Sequence, residues 1–276
     1  MIEPLLRTVA DLDQSLGGNA NLLIAGGLGL FLKQKHLMQN NAKTLLPIAR
    51  WPQARTTEDI DLFLNAEIVA NAQIMHCYKI ALKKLGFIVV ENAKWMKFTR
   101  KVEGQEVLID LMVGPLGKHE SLVERRGIRV KPIGTSGLHA RFTIDALAIE
   151  QAVTKVRLQT EKHDCNVLVP ESFPFAMMKL GAFQDRVHDE RKDEGRHHAL
   201  DLYRIIAMLT PEESENATKL AKQFTHNLIL NKRLNTIKEM FVPKNGVGRI
   251  RLQEHPLCPK DVDLGLFVEE LLQLLQ

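Results

Sequence analysis

The stretch Asp59-Ile60-Asp61-Leu62-Phe63-Leu64 alternates acidic and apolar side chains before it becomes wholly apolar. Alternation with a period of two is typical of a β-strand that buries one of its faces. We therefore expect Asp59 and Asp61 to share the polar face of a strand, while Ile60 and Leu62 point into the core.

Two neighbouring carboxylates repel each other, and an uncompensated buried charge costs on the order of several kcal/mol. Carboxylate oxygens together with substrate phosphates are the ligands that Mg²⁺ prefers. The pair Asp59 and Asp61 therefore indicates a site for a divalent cation and a phosphate. The alternative is a solvated strand face, where most charged pairs lie.

A third acid, Asp110, lies inside the apolar run Val107 to Val113. A lone acid in such a strand is unfavourable unless another group compensates its charge. On a strand next to Asp59 and Asp61, it would complete the ligands of a two-metal site that holds the attacking and leaving oxygens of a displacement. The alternative is a structural ion pair with a lysine or arginine.

Gly26-Gly27 follows the apolar run Leu22 to Ala25 and precedes a predicted helix. In this context backbone N–H groups can approach phosphate oxygens at the start of the helix. A plain turn is the alternative for a diglycine alone. Neither a G-x-G-x-x-G nor a G-x-x-x-x-G-K-[ST] motif is present, which argues against Rossmann and P-loop folds.

The periodicity along the chain predicts an α/β (α+β) fold: a mixed sheet with flanking helices, followed by a helical C-terminal domain. The boundary is placed near residue 165, giving domains of residues 1–165 and 166–276. The predicted strands are Leu22–Ala25, Asp59–Leu64, Phe87–Glu91, Met96–Val102, Val107–Val113, Ile128–Ile133 and Arg141–Leu147. The predicted helices are Ile2–Leu16, Phe31–Met38, Ala66–Leu85, Phe173–Val187, His198–Met208, Pro211–Thr225 and Val262–Leu275.

The composition is typical of a globular protein. Of the 276 residues, 45% are hydrophobic and 25% are charged, which is enough for a full core. The longest apolar run, Leu22 to Leu32, is too short for a bilayer, and the first residues lack the pattern of a secretory signal. We expect a cytoplasmic protein with no membrane partner. The cysteines show no C-x-x-C spacing, and the net charge of +4 is compatible with a polyanionic partner without requiring one.

Gly26-Gly27, the run Arg55 to Leu62 and Asp110 together resemble the motifs of the DNA polymerase β-type nucleotidyltransferase superfamily. The segment from Pro170 through Lys179 to Arg186, followed by Asp201-Leu202-Tyr203-Arg204, is similar to the abortive-infection nucleotidyltransferase toxin group. The resemblance covers roughly residues 20 to 206 and leaves the C-terminal stretch unmatched.

This resemblance implies a nucleotidyltransferase fold and a role for each matching residue. Asp59, Asp61 and Asp110 would bind Mg²⁺ or Mn²⁺ and act as catalytic residues together with Lys179, which would neutralise the triphosphate. The remaining nucleotide-binding positions would be Gly26, Gly27, Thr57 and Arg186. The implied partners are a nucleoside triphosphate, an RNA, protein or small-molecule acceptor, and an antitoxin protein.

The sequence departs from the pattern of the group just before Asp201. The relatives carry a basic residue and an aspartate where this chain has His197-His198. This weakens the interpretation of Asp201 as a catalytic base, and a cap or an ion pair inside the helical domain is the alternative. The spacing from Gly27 to Asp59 is also long for the wider superfamily.

Two charged runs each have two interpretations. His188, His197 and His198 lie in or beside the run Asp185 to Arg196, which fits a metal cluster or, better, a mobile solvated loop between helices. The run Val123 to Lys131 fits either a surface for a polyanion such as RNA or a solvated basic edge strand. Its basic residues are Arg125, Arg126, Arg129 and Lys131.

The sequence therefore predicts an enzyme that transfers a nucleoside monophosphate from a triphosphate to an acceptor hydroxyl. The alternative is a catalytically degenerate relative that keeps the fold as a nucleotide- or RNA-binding module. Retention of Asp59, Asp61 and Asp110 favours the enzyme.

Overall fold

A computed structural model describes residues 2–135 and 137–276 of the chain. The fold is of the mixed α/β class, as the sequence predicts. The chain forms two compact units, each assembled from three segments. The first unit comprises Met1–His36, Thr56–Ile144 and Val153–Pro170, and the second comprises Leu37–Arg55, Asp145–Ala152 and Glu171–Gln276.

A mixed sheet is the framework of the first unit. Its strands are β1 (Leu23–Ile24), β2 (Asp59–Phe63), β3 (Ile88–Val89), β4 (Lys97–Val102), β5 (Gln105–Val113), β6 (Val123–Arg126), β7 (Arg129–Pro132), β8 (Ala140–Phe142), β9 (Val153–Gln159) and β10 (Asp164–Pro170). Neighbouring strands follow the order β6-β7-β8-β5-β2-β1-β10-β9, and β4 pairs with both β3 and β5. The strands β2 and β5, which carry the acids, lie in the middle of this sheet and run parallel.

The pair β9 and β10 is not predicted from the sequence. β10 also pairs in parallel with β1, where Leu168 lies opposite Leu23. Strands β9 and β10 also pair with each other as a local antiparallel hairpin, and their buried and exposed positions alternate, so residues 153–170 do carry the period-two signal of strands. The predicted boundary near residue 165 therefore falls inside β10, and the chain leaves the first unit after Pro170.

The helices of the first unit are α1 (Glu3–Ser15), α3 (Ala66–Ala70) and α4 (Ala72–Lys84), and α2 (Gly26–Gln39) begins there. The helical spacing predicted for the first residues is confirmed, since Leu5, Leu6, Val9 and Leu12 are all buried in the core of this unit.

Two predicted helix bounds are wrong. The helix predicted over Ala66–Leu85 is two helices, because Asn71 has extended backbone and its side chain accepts hydrogen bonds from the first turn of α4. The helix predicted to begin at Phe31 begins at Gly26. Apolar periodicity alone did not reveal either bound, because each is set by local backbone geometry at Asn71 or at Gly26.

The second unit is largely helical. It contains α5 (Ser172–Arg186), α6 (Arg196–Ala207), α7 (Pro211–Gln223), α8 (Leu228–Met240), α9 (Val247–Gln253) and α10 (Leu264–Gln273). In its core Phe241 packs against Phe183 and Phe267, with ring centroids 5.0 and 6.0 Å away. The capping box predicted before α7 is confirmed, since the Thr210 hydroxyl accepts a hydrogen bond from the Glu213 N–H at 3.2 Å.

Helices α8 and α9 are not predicted from the sequence. The buried positions of α8 include Arg233 and Thr236, so its apolar periodicity is interrupted. The guanidinium of Arg233 lies 2.6 Å from the Asp145 carboxylate, a contact that the local pattern does not reveal. Among the residues that the structure describes, none of the helices combines the length and the apolar character needed to traverse a bilayer.

Candidate active site

The three predicted acids lie side by side in the middle of the sheet. Asp61 on β2 is directly opposite Asp110 on β5, and Asp59 is two positions before Asp61. Ile60 and Leu62 are buried, whereas Asp59 and Asp61 are half-buried. The prediction that Asp59 and Asp61 share the polar face of a strand is confirmed, and the parallel register adds Asp110 to the same face.

The two carboxylate oxygens of Asp110 have different surroundings. Its Oδ2 lies 3.2 Å from the Arg141 guanidinium and 3.4 Å from the Lys97 ammonium. Its Oδ1 is buried and has no hydrogen-bond partner among the described residues. Burial raises the pKa of Asp110, and Arg141 and Lys97 offset part of that rise.

The unpartnered Oδ1 is the observation that fits a cation, because buried polar atoms are otherwise hydrogen-bonded. The alternative for Asp110, a structural ion pair, is also present, since its carboxylate pairs with Lys97 and Arg141. One oxygen of Asp110 thus contacts two protein cations, and the other is buried with no hydrogen-bond partner among the described residues.

Gly26 shapes the space around Asp61. It has a φ of +62°, and a Cβ built on it would lie 1.8 Å from Oδ2 of Asp61. The carboxylate therefore occupies the volume that any other side chain would fill at this position. The strand is held here by a 2.9 Å hydrogen bond from the Ala25 N–H to the Asp61 carbonyl. Because α2 begins at Gly26, the carboxylate lies at the positive end of a helix dipole.

Thr57 orients the first acid. Its hydroxyl donates a hydrogen bond to Oδ1 of Asp59 at 3.0 Å. This contact was not predicted, since Thr57 was assigned to nucleotide binding through the resemblance. That assignment stays a prediction, as does the contact of Gly27 with a triphosphate. Gly27 lies buried in the first turn of α2.

Lys179 belongs to an ion-pair cluster inside the second unit. Only 6% of its surface is exposed, and its ammonium lies 2.7 Å from Oδ2 of the fully buried Asp201. Arg55 and Arg204 each lie 3.1 Å from the same carboxylate. Burial opposes the charge of Asp201, but Lys179, Arg55 and Arg204 outweigh it and hold the pKa of Asp201 far below its ordinary value.

The cluster agrees with the interpretation of Asp201 as an ion-pair partner inside the helical domain. Arg186 follows Lys179 along α5 and contacts Nε2 of the buried His198. Burial, together with Lys179 and Arg186, lowers the pKa of His198 well below its ordinary value, so this imidazole is neutral at physiological pH. The roles of Lys179 and Arg186 towards a nucleotide stay predictions.

The charged run before α6 is a largely exposed segment between two helices, as predicted, and it contains a short turn. Residues Glu190–Gly195 form a short turn in which Asp193 accepts hydrogen bonds from Arg196 and from the His197 N–H. Asp193, His197 and His255 place potential metal ligands within 4.8 Å of one another.

The two histidines of this group contact each other, and His197 also contacts Asp193. Nδ1 of His255 accepts the Leu257 N–H at 3.1 Å, so the neutral ring carries its proton on Nε2. That nitrogen lies 2.9 Å from Nδ1 of His197, which in turn lies 3.2 Å from Oδ2 of Asp193. In this structure the group is a hydrogen-bonded pair beside Asp193.

Several residues of these sites were missed in the sequence. Lys97 lies in a strand that alternation does predict, but its pairing with Asp110 depends on the β4–β5 register. Arg141, Arg204 and His255 reach their partners through tertiary packing, and no local motif marks them. For Arg55 the only signal was its position just before the acidic strand.

No family model matches the chain, and no curated protein matches it significantly.

Proposed function

We propose that this protein is a metal-dependent nucleotidyltransferase whose metal site is formed by Asp59, Asp61 and Asp110. The observation that carries the proposal is the register of β2 and β5, which places Asp61 beside Asp110 on the same face as Asp59. The buried, unpartnered Oδ1 of Asp110 supports a cation at this point.

The donor set fits a hard divalent cation. Only carboxylate oxygens are offered by Asp59, Asp61 and Asp110, and hard oxygens with substrate phosphates suit Mg²⁺ or Mn²⁺. When bound, such ions would neutralise the charge that develops on the phosphate oxygens during transfer. Thr57 keeps Asp59 in place, and Gly26 leaves room for the carboxylate of Asp61.

The substrate of the proposed reaction is a nucleoside triphosphate. An acceptor hydroxyl forms a bond to the α-phosphorus while the bond to the departing pyrophosphate breaks, and the hydroxyl proton is released to solvent. The backbone at Gly26 and Gly27, in the first turn of α2, is suited to phosphate oxygens because helix N-termini attract anions. Positioning and charge neutralisation supply most of the catalysis in such transfers.

The test is pyrophosphate release from each of the four nucleoside triphosphates with Mg²⁺ or Mn²⁺ and total cellular RNA. Asp59→Ala and Asp61→Ala should abolish turnover. Their free energies of unfolding should stay unchanged or rise slightly, because removal of one of two like charges relieves repulsion in the absence of metal. Asp164→Ala is the matched control, since this acid lies on β10 and its partner is the exposed Arg157. Turnover in a double Asp59→Ala, Asp61→Ala variant would refute the proposal.

A second candidate is a nucleotide- or RNA-binding module of the same fold without turnover. The observation in its favour is that Lys97 and Arg141 already compensate Oδ2 of Asp110 without a metal. The two candidates differ in one measurement: the module binds a triphosphate and releases no pyrophosphate with any metal or acceptor.

A further inference from the structure

The face of the sheet that carries the acids continues to the β6 edge as a basic strip. Arg141 on β8 contacts Asp110 at 3.2 Å and lies opposite Arg129 on β7, which in turn lies opposite Arg126 on β6. Directly paired residues of neighbouring strands point to the same side of a sheet. Three strand spacings, or about 14 Å, separate the strand of Asp110 from that of Arg126.

The cations at the edge are available to an anion. Arg126 and Arg129 are exposed, and the structure gives their guanidinium groups no hydrogen bond or salt bridge with any described residue. Lys131 shares their face and is paired with Glu124 at 3.1 Å. Arg125 points to the opposite face, where it lies 3.9 Å from the ring centroid of Phe142. Strand alternation thus divides the basic run and places Arg126 and Arg129 on the acid face, where the carboxylate of Glu124 is paired with Lys131 and also interacts with Arg126.

A cavity of about 330 Å³ opens at these arginines, inside the first unit. Arg126, Arg129 and Lys131 line it together with Trp95 and His139. This volume is within the range of small-molecule pockets, roughly 300–1,000 Å³. We call the cavity and these five residues the basic pocket.

Two of the residues that line the basic pocket, Trp95 and His139, have ring side chains. The Trp95 carbonyl accepts a 2.9 Å hydrogen bond from the His139 N–H, and the half-exposed Trp95 ring has the Lys79 ammonium 4.9 Å from its centroid. Burial lowers the pKa of His139, and Arg129 and Lys131 lower it further. The neutral imidazole has one donor and one acceptor, and its Nδ1 is buried with no partner among the described residues.

We propose that the basic pocket binds single-stranded nucleic acid, with backbone phosphates on Arg126 and Arg129 and a base against Trp95. A basic groove combined with an aromatic ring is the arrangement that binds unpaired strands, because every base has a face for stacking. The inference rests on the proposed function in one respect: a strand end lying along the strip towards Arg141 would bring its hydroxyl to the acids.

Binding of short fluorescent oligonucleotides to the full chain tests the proposal, measured by anisotropy without metal or nucleotide. The double variant Arg126→Ala, Arg129→Ala should weaken binding by tenfold or more. It should also reduce the slope of log K against log salt by about 1.4, or about 0.7 for each lost phosphate contact. Because both side chains are exposed, the melting temperature should not change.

The matched control is the double variant Lys155→Ala, Arg157→Ala. It removes the same charge from two exposed positions on β9, the opposite edge strand of the same sheet. Its oligonucleotide affinity should equal that of the wild type. Trp95→Ala should weaken binding roughly tenfold or more, and Trp95→Phe should restore most of it because the stacking surface is kept.

RNA and DNA oligonucleotides form separate arms, and tighter binding of either supports the proposal. Equal losses in the β6–β7 and β9 double variants would overturn it, since net charge alone would then explain binding. A duplex that competes as well as a single strand would overturn it too. Oligonucleotide binding that depends on the basic pocket, without pyrophosphate release, would refute the proposed enzyme and support the nucleic-acid site. Metal-dependent turnover, with oligonucleotide binding that does not depend on the basic pocket, would support the enzyme and refute the nucleic-acid site.

Discussion

At the residue scale, Gly26 and Asp61 compete for one small volume at the start of α2. The positive φ of Gly26 favours glycine, and the Asp61 carboxylate leaves no room for a Cβ there. Apolar periodicity and the diglycine motif predicted a turn at Gly26-Gly27 whose backbone N–H groups approach the phosphate oxygens of a nucleotide. The contact between the glycine and the acid was not readable, because it depends on the pairing of β1 with β2.

Substitution of Gly26 by alanine should destabilise the protein more than the same change at Gly86. Gly86 also has a positive φ, of +79°, but apart from its neighbours along the chain no described atom lies within 4 Å of its added Cβ. Gly86→Ala should cost about 1–2 kcal/mol for the left-handed backbone. Gly26→Ala should cost about 1–3 kcal/mol more because of overpacking against Asp61. Urea unfolding measures both, and equal costs would show that the contact with Asp61 is absent.

The surroundings of Asp201 determine how much its carboxylate contributes to the free energy of unfolding. Its carboxylate is fully buried and lies against Lys179, Arg55 and Arg204. Removal of one partner from such a group leaves the others uncompensated, which typically costs about 3–5 kcal/mol. Asp201→Asn should therefore reduce the free energy of unfolding by about this amount at neutral pH.

The difference in free energy of unfolding between wild type and Asp201→Asn should also depend on pH. The folded pKa of Asp201 is depressed, whereas the unfolded chain has a value of about 3.9. The contribution of the carboxylate is therefore complete above about pH 4 and decreases as the pH falls towards the folded pKa. Urea unfolding of both proteins across this range measures this difference. A difference that stays constant or widens in acid would contradict the depressed pKa. Asp164→Asn, an exposed pair, is the control, with an effect of at most about 1 kcal/mol.

At the scale of helices and strands, the elements that were predicted correctly are those whose start or face depends on neighbouring residues in the sequence. The alternation around Asp59 gave β2 and its polar face, and the Thr210 capping box gave the start of α7. The hairpin of β9 and β10 was missed although both strands alternate, whereas the partners of Asp110 were missed because they depend on strand register and tertiary packing. Strand register depends on which faces are buried in the folded unit, and a single strand does not encode its neighbour.

The break between α3 and α4 provides a test at this scale. Asn71 and Asn65 are both N-cap residues, but only the Asn71 side chain accepts hydrogen bonds, from the N–H groups of Gln73 and Ile74. Asn71→Ala should lower the free energy of unfolding by about 1 kcal/mol, the usual effect of losing an N-cap. Asn65→Ala should have little effect and is the control. Denaturant unfolding measures both, and equal effects would show that the Asn71 cap does not stabilise α4.

At the scale of the whole molecule, the α/β class and the three acids were predictable, and the two-unit organisation was only partly so. The units interleave along the chain: 37–55 and 145–152 belong to the second unit although segments of the first unit flank them in sequence. Composition and periodicity divide a chain into consecutive pieces, so they placed one boundary near residue 165. The charge compensation of Asp110 and Asp201 comes from tertiary packing, which a linear pattern does not contain.

In the proposed enzyme, Asp59, Asp61 and Asp110 hold divalent cations for a triphosphate. The most direct test is a crystal grown with Mn²⁺ and a non-hydrolysable nucleoside triphosphate, analysed by anomalous scattering. We predict a manganese peak within bonding distance of the three carboxylates, with Oδ1 of Asp110 among the ligands. Saturating ligand in the crystal with no peak at these acids, and with Lys97 and Arg141 still paired to Asp110, would contradict it.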